Sequence, residues 1–217
     1  MKKLLFSFLF LFCFVLNSFA LRFDILGTIS YKNAIIKGDT YLKINENVKI
    51  PFSANADSVG VNIGLDLFFT DYVGLYTRLG FYGLNGLERS IDNKSKKIKN
   101  ATDYGSSFDV GAAFAIPFNN YFSITLAPAL TMNYINSNYT NIIKTSASVD
   151  SYLNYGFTGD IYIKFRYKHF VAAIGCAGSI LPFGLVTSSD TAINYGSNIQ
   201  NCIAYSLRPY IGAGVSF

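Results

Sequence analysis

Residues 58–69 read SVGVNIGLDLFF, with a large apolar side chain at every second position: Val59, Val61, Ile63, Leu65, Leu67 and Phe69. Between them stand Gly60, Asn62, Gly64 and Asp66. A period of two sends the sets to opposite faces of a β-strand, whereas a helix would need apolar residues three and four apart. The stretch therefore reads as a strand with one apolar and one small or polar face.

The same period recurs along the chain. Phe23, Ile25, Gly27, Ile29 and Tyr31 share one face of residues 22–31, and Val73, Leu75, Thr77, Leu79 and Phe81 oppose Gly74, Tyr76, Arg78 and Gly80. Further alternating runs start near Phe108, Phe122 and Leu153, a weaker one spans 170–181, and 202–217 completes about eight strands, all antiparallel in expectation. Long polar connections are expected at about 32–57, 84–106, 135–150 and 182–200, and tight turns at Thr70-Asp71-Tyr72, near Pro117 and near Lys168. Tight turns on one side and long loops on the other form an up-and-down meander, with both chain ends on the tight-turn side.

Composition bears on the environment. Of 217 residues, 51% are hydrophobic and 14% charged, below the quarter usual for soluble domains. Residues 1–20 read as an export signal: Lys2 and Lys3, an apolar run from Leu4 to Leu16, and Ser18-Phe19-Ala20 as a cleavage site. Cleavage after Ala20 leaves 21–217 as one domain, with 16 basic and 13 acidic side chains. That +3 balance gives no basis for nucleic-acid binding. Cys176 and Cys202 are the only cysteines left and make no disulfide framework.

The small and polar parity carries Arg22, Asp24, Asp66, Arg78, Asp109, Asp160, Lys164, Arg166 and Arg208, while the apolar parity is essentially free of charge. As an exterior in water the small and polar face would be thin in charge. As the lining of a narrow lumen its signs nearly balance and can pair. An Arg or Lys facing lipid would cost roughly 2–4 kcal/mol at mid-bilayer. The expected fold is thus an all-β, closed up-and-down antiparallel transmembrane β-barrel with the apolar face in lipid. In hydrocarbon no sheet edge can stay open, so the strand near Phe23 is expected to pair with that near Val215. Tyr31, Tyr72, Tyr121, Tyr134 and Tyr155 are candidates for an interfacial girdle, Trp being absent.

The stretch LRPYIGAGVSF (207–217), apolar at alternate positions and ending in Phe217, resembles the C-terminal signature of bacterial outer-membrane proteins. The mature chain as a whole resembles small eight-stranded barrels of the OmpX and OmpA-membrane-domain kind, through its architecture rather than through a local motif. The resemblance implies a bacterial outer-membrane location, with lipid bilayer and lipopolysaccharide as surroundings. It also implies that Phe217 serves as the signal read by the barrel-assembly machinery. No periplasmic domain is expected after the strands, so a peptidoglycan anchor is not implied.

Catalytic chemistry finds little support. His169, the single histidine, falls in a tight turn with no base–nucleophile arrangement evident, and neither a metal nor a cofactor motif is read. The chain is expected not to be an enzyme. One charge cluster stands out in NKSKKIKN (93–100): Lys94, Lys96, Lys97 and Lys99, in an expected external loop. Its plain reading is a solvated loop; its sharper one is contact with lipopolysaccharide phosphates or host surface glycans. The expected role is structural or adhesion-type, through four longer external loops. The alternatives are a narrow channel or small-molecule transporter, and a secreted, soluble lipocalin-like barrel.

Overall fold

A computed structural model describes residues 21–42, 45–91, 94–98, 103–140, 147–188, 193–194 and 202–217. The expected signal peptide, residues 1–20, lies outside the described residues. Ten strands follow in chain order: β1 (Arg22–Leu42), β2 (Asn45–Phe68), β3 (Val73–Ile91), β4 (Lys94–Ile98) and β5 (Tyr104–Pro117), then β6 (Phe122–Thr140), β7 (Ala147–Tyr167), β8 (Phe170–Ser188), β9 (Ile193–Asn194) and β10 (Cys202–Ser216). Eight of them form a ring in the order β1-β2-β3-β5-β6-β7-β8-β10, every pair antiparallel, with β10 returning to β1. The short β4 pairs with β3, and the short β9 with the end of β1.

Closure joins Asp24 to Ser216 and continues to Gly38 opposite Cys202. At the rim the backbones of Phe23 and Phe217 exchange two hydrogen bonds, of 3.0 and 2.9 Å. No edge of the ring remains for solvent or lipid to satisfy.

The tight turns are built by their own side chains. Thr70 Oγ1 accepts from the Tyr72 and Val73 amides, and Asn119 Oδ1 accepts from those of Tyr121 and Phe122. The third turn is Lys168-His169, with Lys168 at φ 52°, in the left-handed region.

The long connections are much shorter than sequence reasoning expects. β1 continues to Leu42, β2 begins at Asn45, β3 reaches Ile91, and β6 and β7 reach Thr140 and Ala147. The cause is an inversion of the alternation. In the turn-side half Ile29 and its register partner Ile211, both 63% exposed, face outward while Thr28 and Asn62 face inward. Towards the loop side Ala34, Ile36, Phe52, Ala54, Ala56 and Leu87 are buried in the lumen, while Lys37, Asn55 and Glu88 are outside. The outer face there bears hydrogen-bonded polar pairs, Tyr31 to Asp57 at 2.6 Å and Asn33 to Asn55 at 3.0 Å. On β1, β2 and β3 the period of two persists with its hydropathic sign reversed, whereas at the β1–β10 seam Ile35, Ile203 and Tyr205 keep the outer face apolar.

Around the turn-side half, Ile63, Phe81, Leu130, Phe157 and Ile180 continue the exposed apolar belt. A belt of this extent is what lipid covers in a membrane barrel. Of the expected girdle, Tyr31, Tyr72, Tyr121 and Tyr155 are exposed, and Tyr134 packs 6.2 Å from Tyr104.

Candidate functional site

Narrow barrels place inward side chains of opposite strands within reach of one another. Three long-range pairs use this reach: Lys164 on β7 with Asp66 on β2, Arg208 on β10 with Asp109 on β5, and Lys32 on β1 with Asn133 on β6. Each joins strands four places apart in the ring of eight, and so crosses the lumen.

The turn-side cluster gathers Arg22, Asp24, Asp66, Arg78, Lys164 and Arg166. Lys164 Nζ donates at 2.7 Å to both Asp24 and Asp66. Asp24 also accepts from Arg166 at 2.7 Å and from Ser216 at 2.6 Å, and Asp66 from Arg78 and the Tyr162 hydroxyl, both at 2.7 Å. Arg78 spends Nη1 on Asp66 and on the Thr77 carbonyl, while Nε and Nη2 have no hydrogen-bond partner. Its guanidinium is instead packed by the rings of Tyr76 at 4.5 Å and Tyr162 at 5.4 Å, a cation–π environment. Asp160 has no cation at salt-bridge distance among the described residues. It accepts from Tyr76 at 2.7 Å and from Tyr210 at 2.9 Å.

The second cluster is centred on Arg208. It donates to Asp109, to the Tyr82 hydroxyl at 3.1 Å and to Ser107 at 3.2 Å; Asp109 also accepts from Thr131. Tyr82 passes the network to Asn62 at 2.6 Å, and Asn62 to Thr28 and Ser30. Lys32 donates to Asn133 at 2.7 Å and sits 4.7 Å over the Tyr82 ring. Beside it a void of about 10 Å³, lined in part by Ala56 and Ile135, has room for roughly one water.

Glycines make room for this wiring. A Cβ on Gly64 would run into the Arg78 guanidinium, and one on Gly80 into Asn62, Tyr82 and Ser107. Above the clusters, the apolar lumen of Ile36, Phe52, Leu87, Tyr152 and Leu181 closes the loop-side half.

All nine charged residues expected in the lumen lie on inward positions, with Arg22 and Arg166 only half-buried at the turn-side mouth. Sequence reasoning misses Lys32, because it ends the first strand at Tyr31. It also assigns no role to the hydroxyls of Tyr76, Tyr82, Tyr162 and Tyr210; their parity with the charges is the signal that could have marked them. Of the lysine run, Lys94, Lys96 and Lys97 stand on β4, opposite Ile91, Arg89 and Glu88 of β3, and Lys99 lies outside the described residues. Phe217 is 68% exposed at the rim. His169 contacts the Ser216 carbonyl at 3.1 Å, tying the last turn to β10. Cys176 stands opposite Ile161 and Pro209, and Cys202 accepts from Asn154.

No protein-family model and no curated protein sequence matches the chain. Among solved structures it is similar to the outer membrane protein OprG from Pseudomonas aeruginosa, at 11% identity and a TM-score of 0.65, over 92% of this chain and 97% of that one. It is also similar to Neisserial surface protein A, at 11% identity and a TM-score of 0.54, over 90% of this chain and 97% of that one. At such identities the likeness is one of fold: a small, closed, outer-membrane-type β-barrel.

Proposed function

We propose that the chain is a bacterial outer-membrane barrel whose lumen is a structural plug and whose work is done at its loop-side surface, as an interaction or adhesion-type protein. The observation that carries this reading is the lumen itself, crossed by Lys164–Asp66, Arg208–Asp109 and Lys32–Asn133. Among the described residues, side chains spent on one another across a narrow barrel leave no polar path for solutes. The apolar belt lies in the bilayer, the tight turns face the periplasm and the loop side faces out. Beyond the belt β1 and β2 continue with hydrogen-bonded polar pairs on their outer face, Tyr31 to Asp57 and Asn33 to Asn55.

The surface suited to contact is the β3–β4 hairpin with its lysines. Polyanions such as lipopolysaccharide phosphates or sulfated host glycans are the partners their charge favours. The test is retention of the folded protein on immobilised lipopolysaccharide and on an immobilised sulfated glycan, at low and at physiological salt. Replacing Lys94, Lys96, Lys97 and Lys99 by Gln should weaken retention at least several-fold and flatten its salt dependence. Equal retention by the variant would remove the polyanion reading.

A further inference from the structure

At the tight-turn mouth, a cleft of about 420 Å³ opens between the start of β1, the β2–β3 turn and the β5–β6 turn. Its walls include Tyr72, Phe118 and Tyr121, and its two cations are Arg22 and Arg166. The Arg166 amide donates to the Tyr121 carbonyl at 2.8 Å, so the strand bearing one arginine is fastened to the neighbouring β5–β6 turn that walls the cleft.

The electrostatics of this mouth are unbalanced. Asp24, the buried carboxylate beneath it, is already shared by Lys164, Arg166 and Ser216. Arg22 is left with Asp24 at 4.0 Å and with Asp71, an exposed carboxylate on the cleft's own lining, at 3.9 Å, both beyond hydrogen-bond length. The Nε donors of Arg22 and Arg166 are both buried with no hydrogen-bond partner among the described residues. Arg22 is nonetheless held in place, with its guanidinium 4.2 Å over the Phe68 ring. Among the described residues the Arg22 side chain makes no hydrogen bond and that of Arg166 only the one from Nη2 to Asp24, so their terminal amino groups are left for an oxyanion, which a guanidinium meets with paired N–H groups. The cleft is within the usual volume range of small-ligand sites, and its aromatic walls suit an apolar or ring-shaped body attached to the anionic group.

We infer that this mouth is an oxyanion-binding site, taking a carboxylate or phosphate carried on a small organic body, with Arg22 and Arg166 as the binding groups. It rests on the orientation given above, with tight turns inward, and is independent of the lysine hairpin. Two sources offer the chemistry: a phosphate of the inner leaflet or periplasm, and a peptide carboxylate in the periplasm.

The test follows the side-chain Nε–H resonances of both arginines, by NMR of the folded protein in non-ionic micelles that carry no phosphate of their own. Inorganic phosphate and N-acetylalanine are titrated separately. A saturable shift of both resonances with either probe supports the site, and the probe that acts at lower concentration names the source. Arg22→Gln should abolish the saturation. Asn120→Asp, which adds a carboxylate at the exposed rim of the cleft and leaves the lumen intact, should weaken it several-fold and guards against a misfolded Arg22→Gln variant. No saturable shift with either probe, or saturation unchanged in Asn120→Asp, would overturn the inference.

Discussion

Lys164 Nζ lies 2.7 Å from Asp66 Oδ2, although the residues are 98 apart in sequence and stand on opposed strands of the ring. Both are almost wholly buried, at 1% and 0% exposure. A pair in this setting is costly to break, because removing Lys164 takes one of two hydrogen-bonded cations from both Asp66 and Asp24 at low dielectric.

Lys164→Met should therefore destabilise the barrel by about 3–5 kcal/mol, measured by urea unfolding from lipid vesicles. The same loss leaves each carboxylate hydrogen-bonded to one cation and one hydroxyl, Arg166 and Ser216 for Asp24, Arg78 and Tyr162 for Asp66. Combining Lys164→Met with Asp66→Asn should cost less than the sum of the two single changes, since contacting residues couple. Strict additivity would show that the pair contributes nothing jointly.

The glycines of the inner face make a second prediction. Gly64→Val should cost about 1–3 kcal/mol, the usual penalty for forcing extra methyl groups into packed space, because its Cβ meets the Arg78 guanidinium. Gly178 is the control: it is exposed, and a Cβ there meets nothing within 4 Å. Gly178→Val should be nearly neutral in the same unfolding assay. Equal losses at both positions would contradict the assignment of faces.

Amide hydrogen exchange tests the extended strands. The amides from Ala34 to Gly38 and from Phe52 to Ala56 pair in register between β1 and β2, and should exchange far more slowly than unstructured loops. Fast exchange across both segments would restore the long-loop reading.

That difference shows where the sequence is legible. Val61, Ile63 and Leu65 announce a lipid-facing strand because lipid demands an unbroken apolar face. The pairing of Ile25 with Val215 follows from the need to leave no edge. The same logic fails beyond the belt, where water replaces lipid. Ala34 and Ile36 turn inward and Lys37 outward, so the apolar residues leave the parity they held up to Tyr31 and a single fixed sign of alternation ends the strand there. Lys32 is lost with it. Residue partners across the lumen are less legible still. Parity places Asp66 and Lys164 inside, but which cation meets which carboxylate depends on strand stagger, which hydropathy does not encode. The mouth cleft is hidden for a related reason, since Arg22, Phe118 and Arg166 come together only when the turns fold over the rim.

The most direct test of the plugged lumen is electrical. Residues 21–217 are folded in detergent, shown to form a closed barrel by the mobility shift on boiling in SDS gels, and added to a planar bilayer. The cross-lumen pairs predict a silent bilayer, with no stepwise current at either polarity. Reproducible single-channel steps from the folded, heat-modifiable species would contradict the plug and establish the barrel as a pore.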